Sequence, residues 1–539
     1  MTYQPNLFPI GAPRSAGRHR STLVRAAGCS LSVSLVLLTA SVGPAVADPH
    51  NRTTSSTTST GPSFTNFELG ETAPDPVGTT CPGNGFGAAC TNHAAEPQIR
   101  ADNAGNFYAT SENGLGGGTA AWKSTTGGLS YATLSSPNQG SSANTTGISP
   151  GGGDTDLAVA PDPNSVTGQH NVYVASLSLA NVDVSTSVDG GKTFALNPTS
   201  ATVPVDDREW IAADGPSKVC ISYHDIATFN IDVNCSYDAG TTFTQLGDAI
   251  DPTHAYLINN NEIGNLAIDP SSHFIYQIFS GIANQTQVAC GELGTCGYNT
   301  VWMGVSTDGG ITFTDYPVYM NPDPTASYGH QFVNVSVDKA GNLYAVYTDN
   351  HNLFYSYSST QGRTWSHPVQ VNSAPSNTAI EPWSVAGDNG KLDVVWYGSS
   401  YYQAGTVPDN YPSSAAWQVY FAQNLAATTP GSSFTQTAAS PINHYGGVCE
   451  SGIGCTGNRD LYDDFGVAAS PTTGLASIVY SDDQYTDTAA SPPQAGCYPA
   501  QTNTSSCDHT SIATQTSGPG IYTTATTSNI RKEFENSRG

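Results

Sequence analysis

Positive charge is what this 539-residue chain has least of: 17 lysines and arginines stand against 43 aspartates and glutamates. That field repels polyanions, so neither a nucleic-acid backbone nor an anionic membrane surface is expected as a partner. Charge of either sign is thin, at 11% of residues, whereas glycine reaches 55 and tyrosine 27. Such a composition excludes a predominantly helical protein and suits many short strands joined by tight turns. Long apolar runs are also missing. No stretch reaches the roughly 18 apolar residues that a membrane-spanning helix requires. Nor does the chain carry a nucleotide-binding, metalloprotease or serine-hydrolase motif.

The N-terminus reads as an export signal over residues 1–47. Arg14, Arg18, Arg20 and Arg25 precede an apolar run from Leu31 to Leu38, and Ala45 to Ala47 form a small-residue cleavage pattern ahead of Asp48. A secreted, extracellular protein is expected. Its four leader arginines removed, 13 basic residues remain against the same 43 acids. Cysteine usage agrees with export. Beyond Cys29 the cysteines form close pairs, Cys81/Cys90, Cys220/Cys235, Cys290/Cys296, Cys449/Cys455 and Cys497/Cys507, which predicts five local disulfides. Zinc is the competing reading, but no CxxC or HxxxH spacing accompanies them.

A repeat is the strongest signal. Ser187, Asp189, Gly191, Thr193 and Phe194 define a pattern that recurs as Ser236, Asp238, Gly240, Thr242, Phe243 and as Ser306, Asp308, Gly310, Thr312, Phe313. Ser358 to Trp365 repeats it with Thr360 in the acidic position, and Ser124 to Tyr131 is a worn copy. Successive starts lie 63, 49, 70 and 52 residues apart. Short acidic and hydroxyl side chains here can bond the turn's own amides, while glycine takes a conformation closed to other residues. The pattern resembles the Asp-box of the sialidase superfamily. The resemblance implies a β-propeller in which the boxes are fold elements away from the active site.

Seven hairpins surround the boxes. They open at Glu96, Asp154, Asp207-Arg208, Glu262, Gln331, Glu381 and Asp463-Asp464, and each supplies the first two strands of a four-stranded blade. Third strands are expected at 182–185, 231–235, 301–305, 353–357, 417–421 and, last, 521–524. Because the seventh blade lacks a fourth strand downstream, the segment Phe64 to Leu69 is expected to close the ring. The reading is thus an all-β, seven-bladed propeller over residues 63–526, with six blades, the number in true sialidases, as the alternative. Residues 48–62 and 527–539 read as tails. Stretches 401–414 and 484–518 read as long loops of blades six and seven.

Propellers turn the first strand of each blade toward a central channel. Six of the seven openings therefore bring a carboxylate to one mouth. Crowded carboxylates drive their pKa values apart, which is how glycosidases obtain an acid and a base at one pH. Asp207, Glu262, Glu381 and Tyr223 are the catalytic candidates; His224, His330, Trp383 and Asp463 are candidate substrate contacts. The resemblance to sialidases implies an arginine triad for a substrate carboxylate, and Arg100, Arg208 and Arg459 are the available guanidiniums. The family's Phe/Tyr-Arg-Ile-Pro motif is absent, however, with Glu96-Pro97 in the comparable stretch. The structural alternative is that these carboxylates bond neighbouring blades or bind calcium. A secreted, monomeric glycoside hydrolase acting on extracellular glycans is the leading expectation, with no cofactor beyond a structural calcium. The alternatives are a carbohydrate- or protein-binding propeller without activity and a polysaccharide lyase using tyrosine and histidine.

Overall fold

The computed structural model describes residues 61–69, 96–112, 118–138, 151–178, 181–330, 332–452, 455, 458–459, 461–484 and 509–523. Within them, seven four-stranded antiparallel sheets form a propeller. Each blade contributes its first strand to the centre: Gln98–Ala101, Thr155–Pro163, Asp206–Asp214, Asn261–Ile268, Asn334–Val337, Thr378–Ala386 and Gly466–Ala469. Contacts between successive first strands run around the ring and return from the seventh blade to the first. Seven blades therefore stand, and six do not.

Closure follows the expected route with an altered partner. Ser63–Glu68 forms the outer strand of blade seven, pairing antiparallel with His509–Ser517. Phe64 packs edge-on against Phe421 at 5.1 Å, and the Asn66 amide donates to the Ala439 carbonyl of blade six at 2.9 Å. The third strand of blade seven is thus 509–517, inside the stretch read as a loop, and not 521–524. Most of its buried residues are polar: Thr510, Ser511, Thr514 and Gln515 are enclosed beside Ile512 and Ala513, with the Thr514 hydroxyl donating to the Gly128 carbonyl at 2.6 Å. Ile521 instead lies buried across the hairpin turns of blades six and seven. Its amide donates to Gly474 at 3.0 Å, and its carbonyl accepts from Asp388 at 2.9 Å.

The repeated turns bond as their chemistry requires. The Ser306 hydroxyl donates to Asp308 at 2.8 Å and accepts from the Gly310 amide at 2.8 Å. Asp308 accepts from the Thr312 amide at 3.0 Å and its hydroxyl at 2.6 Å. Gly310 sits at φ +96°, where a side chain would be strained. In the second copy, bonds from the Thr242 amide and the Ser236 hydroxyl hold the Asp238 carboxyl below its ordinary range. Thr360 replaces aspartate through its hydroxyl, which accepts from the Thr364 amide at 3.0 Å.

Disulfides join Cys220 to Cys235, Cys290 to Cys296 and Cys449 to Cys455, as the local pairing predicts. Cys220 and Cys235 face each other on neighbouring strands of blade three. The pairs Cys81/Cys90 and Cys497/Cys507, the leader, residues 48–60 of the N-terminal tail and the C-terminal tail lie outside the described residues. Among the described residues, no helix is long and apolar enough to cross a membrane.

Candidate functional site: an acidic funnel over a plugged channel

Strand direction separates two ends of the propeller. First strands open, second strands finish and third strands begin at one end, while the hairpin turns and the serine-aspartate boxes lie at the other. At the opening end three charged residues adopt left-handed backbone: Glu96 at φ +46°, Arg208 at +39° and Glu381 at +50°. The register slips around two of them, between Asp207 and Glu209 and between Ile380 and Trp383. A bulge of this kind re-aims a side chain, here toward the axis. Such strain costs on the order of 1–3 kcal/mol per residue and persists only where surrounding contacts enforce it.

Those contacts cross the channel. Arg208 of blade three, 4% exposed, bonds Glu96 of blade one and, at 2.8 Å, Asp464 of blade seven. Asp154 of blade two lies 4.0 Å away. The guanidinium sits 3.9 Å over the Trp210 ring and 4.8 Å from that of Phe332. Trp210 in turn meets Trp383 from blade six at 5.1 Å. Arg100 lies 5.4 Å from the Trp383 ring and pairs with Asp156 at 2.8 Å. Gln98 completes the layer by donating to Asp464 at 2.6 Å. The channel is therefore plugged by two tryptophans, a phenylalanine and guanidiniums whose charges are already met by protein carboxylates.

Above the plug the acids gather. Arg459 pairs with Asp463 at 2.6 Å and approaches Glu96 at 3.6 Å. Asp154 and Asp463 keep 20% and 16% of their side chains exposed, Glu262 is partly exposed and Asp207 open. Glu381 lies beneath, 2% exposed, with neither carboxylate oxygen hydrogen-bonded. The acidic charges acting on it are chiefly those of Asp463, Glu450 and Asp464. Burial, then repulsion from Asp463, pushes Glu381 well above the ordinary carboxylate range. Burial and the charges of Asp207 and Asp463 push Glu262 up to about 8. Glu112 also reaches about 8, through burial and Asp154. Asp464 reaches about 7 by burial, against the pull of Arg208. Burial and Asp154 likewise raise Glu96 despite its arginine.

The structure brings Asp207, Glu262, Glu381, Arg208, Arg459 and Asp463 together, with Trp383 and Arg100 in the plug below. Tyr223 is not among them. It is fully buried between blades two and three, its hydroxyl accepting from the Val203 amide at 3.4 Å, because it belongs to a second strand whose alternate face packs on the next blade. His224 sits on blade three and His330 on the connection from blade four into blade five, each with a basicity lowered by burial and partly restored by Asp225 and Asp349 respectively. Gln331 lies outside the described residues. Four participants escaped the sequence reading: Glu112 ends a second strand, Glu450 lies on the connection into blade seven, Glu209 shares the bulge with Arg208, and Gln98 enters from strand one of blade one. The ends of second strands carry the missing signal, since they return to the same mouth as the first-strand openings.

Glu96, Glu112 and Asp154 each offer an oxygen within 4.8 Å of the others, so these three could hold a divalent ion. Arg208 and Arg459 already supply positive charge to Glu96 at that point, which weakens the case for calcium.

No family model matches the chain, and no curated protein matches it. Among solved structures, a Dyadobacter fermentans protein of unknown function is similar at 11% identity over 78% of this chain and 94% of that one, TM-score 0.41. The α-L-arabinanase of Penicillium chrysogenum, solved with arabinobiose, is similar at 12% identity over 84% and 98%, TM-score 0.40. A leech intramolecular trans-sialidase in complex with 2,7-anhydro-Neu5Ac is similar at 10% identity over 80% and 70%, TM-score 0.36. The seven-bladed assignment itself rests on this chain's own strand pairing.

Proposed function

We propose that the funnel is the active site of an exported, monomeric glycoside hydrolase that cleaves neutral sugars from extracellular glycans. One observation carries the reading: two carboxyl groups in unlike environments share the funnel floor. Glu262, pushed up to about 8, keeps its proton at neutral pH, while Asp463 is ion-paired with Arg459 at 2.6 Å. A buried acid with a raised pKa beside an arginine-paired carboxyl group suits a proton donor and its partner. Glu262 protonates the glycosidic oxygen as the bond to the leaving group breaks. Asp463, with Asp207 beside it, stabilises the positive charge developing on the sugar or activates the attacking water. Glu381, its pKa raised by burial, lies below them.

The sugar is neutral because the arginines are spent. Binding a sialic acid carboxylate requires a free guanidinium fork. Arg100 serves Asp156, Arg208 serves Glu96 and Asp464, and Arg459 serves Asp463 and Glu96. An anionic substrate would enter a funnel of exposed acids with no such fork waiting. The leader, the three disulfides and the acidic surface support an extracellular setting.

A second reading, a sugar-binding propeller without turnover, is favoured by the deep burial of Glu381. A chromogenic panel of neutral glycosides, with a sialoside alongside, tests both. Neutral glycosides are expected to be cleaved and the sialoside spared. Glu262→Gln and Asp463→Asn should each reduce turnover by roughly 10²–10⁴-fold, the usual worth of a positioned acid or base. Cleavage of the sialoside alone, or full activity in both variants, would refute the assignment. Sugar binding without any cleavage would establish the second reading.

A further inference from the structure

Beside the funnel, on the rims of blades five and six, two aromatic rings lie stacked in the open. Tyr402, 44% exposed, rests on His351 with centroids 3.8 Å apart and planes inclined by 15°. The stack is held from below. The His351 ring bonds the Asn377 carbonyl through Nδ1, and its amide donates to Asp349 at 3.0 Å. Tyr401, the next residue to Tyr402, packs edge-on against Tyr411 at 4.7 Å, and Tyr411 stacks on the buried Trp417 at 5.9 Å. One face of Tyr402 is thus taken by His351, while 44% of the residue remains exposed.

The stack is continuous with the acids. Asn350, adjacent to His351, donates to Glu450 at 2.6 Å, and Glu450 is one of the charges acting on Glu381. Both rings come from connections between second and third strands, which lie at the funnel end of the propeller. A flat aromatic face on a rigid base, next to a few convergent polar groups, complements the apolar C–H face of a sugar ring. Bordered by carboxylates, it suits a neutral ring and not an anionic one.

We propose that the Tyr402–His351 stack is a second sugar-binding subsite, so that the funnel takes an oligosaccharide and not an isolated terminal sugar. This rests on the reading of the funnel as a carbohydrate site. Tyr402 binds the sugar without taking part in proton transfer, and its loss should therefore act on substrate affinity.

The test compares two substrate lengths. Wild-type protein and Tyr402→Ala are assayed on a 4-nitrophenyl monosaccharide glycoside and on oligosaccharides of two to five sugars prepared from arabinan, galactan and xyloglucan. Tyr402→Ala should raise KM for the oligosaccharides roughly tenfold at unchanged kcat, and leave the 4-nitrophenyl glycoside unaffected. Tyr402→Phe and Tyr402→Trp, which keep a ring, should behave as wild type. Equal losses on both substrate lengths, or no loss on either, would overturn the subsite. If wild type cleaves nothing, the hydrolase reading fails on its own and the same proteins are compared for capture on an array of those oligosaccharides. Capture that Tyr402→Ala loses and Tyr402→Phe keeps would support the subsite, and capture that is absent or equal in all three would sink it.

Discussion

Arg208→Met separates a structural guanidinium from a ligand-binding one. Methionine retains an apolar stem between Trp210 and Phe332 but removes the charge that Glu96 and Asp464 share. Both carboxylates are almost wholly buried, at 1% and 4% exposure. Each charge-assisted bond contributes about 1.5–3 kcal/mol, and stranding a buried partner typically costs about 3–5 kcal/mol. At pH 7.5 the variant should therefore lose about 3–5 kcal/mol in urea melts, with the m-value unchanged. Acid should relieve the loss. Without Arg208 the folded-state pKa values of Glu96 and Asp464 rise further above their unfolded values, so the folded variant takes up protons that the unfolded chain does not. Its stability is retained below the unfolded pKa and falls as pH rises, by about 1.4 kcal/mol per pH unit for each extra proton. The deficit should thus shrink markedly between pH 7.5 and pH 5. A loss below about 1 kcal/mol at pH 7.5, together with a tens-fold fall in turnover, would refute this account and make Arg208 a substrate contact.

Two further outcomes follow from other parts of the molecule. Glu112 and Glu262 are pushed up to about 8, and Asp183 and Asp464 to about 7, mainly by burial. Raised folded-state values stabilise below the unfolded carboxylate range and lose that contribution as pH climbs through 7–8, so Tm should rise when the buffer is taken from pH 8.5 to 5.5, and a flat or inverted profile would contradict the buried funnel. Replacing Cys220 and Cys235 together by serine opens a link of sequence separation 15 and should cost about 3 kcal/mol by denaturant melts; an unchanged midpoint would mean that the blade-three strands do not need the bond.

What the sequence made legible was local. The serine-aspartate turns carry their hydrogen-bond partners within five residues, so Ser306, Asp308, Gly310 and Thr312 announce a turn without any knowledge of the fold. Seven first-strand openings could be counted the same way. Blade seven was misread because apolarity was taken as the mark of a strand. Its third strand, His509–Ser517, buries threonine, serine and glutamine whose hydrogen bonds go to other segments, such as Thr514 to Gly128. The apolar Ile521 is buried as a staple between turns and not as part of a ladder.

The site was legible only as a set of residue types at one mouth, because its meaning lies in pairings that span the chain. Arg208 reaches Glu96 over 112 residues and Asp464 over 256. From sequence, three scarce arginines among many acids look like a reserve for a carboxylate ligand. In the fold each is consumed by carboxylates of the protein itself, and that consumption changes the chemistry of what remains. Arginines that neutralise Glu96, Asp464, Asp156 and Asp463 allow the first strands of blades one, two, three and seven to meet at a buried axis. Glu262 and Glu381 have no guanidinium bonded to them, and burial pushes Glu262 up to about 8 and Glu381 well above the ordinary carboxylate range. The division of labour therefore follows from counting charges across the channel. Acids that hold an arginine build the plug and the funnel wall, and Glu262, left without one, is the acid proposed to donate a proton to a bound sugar.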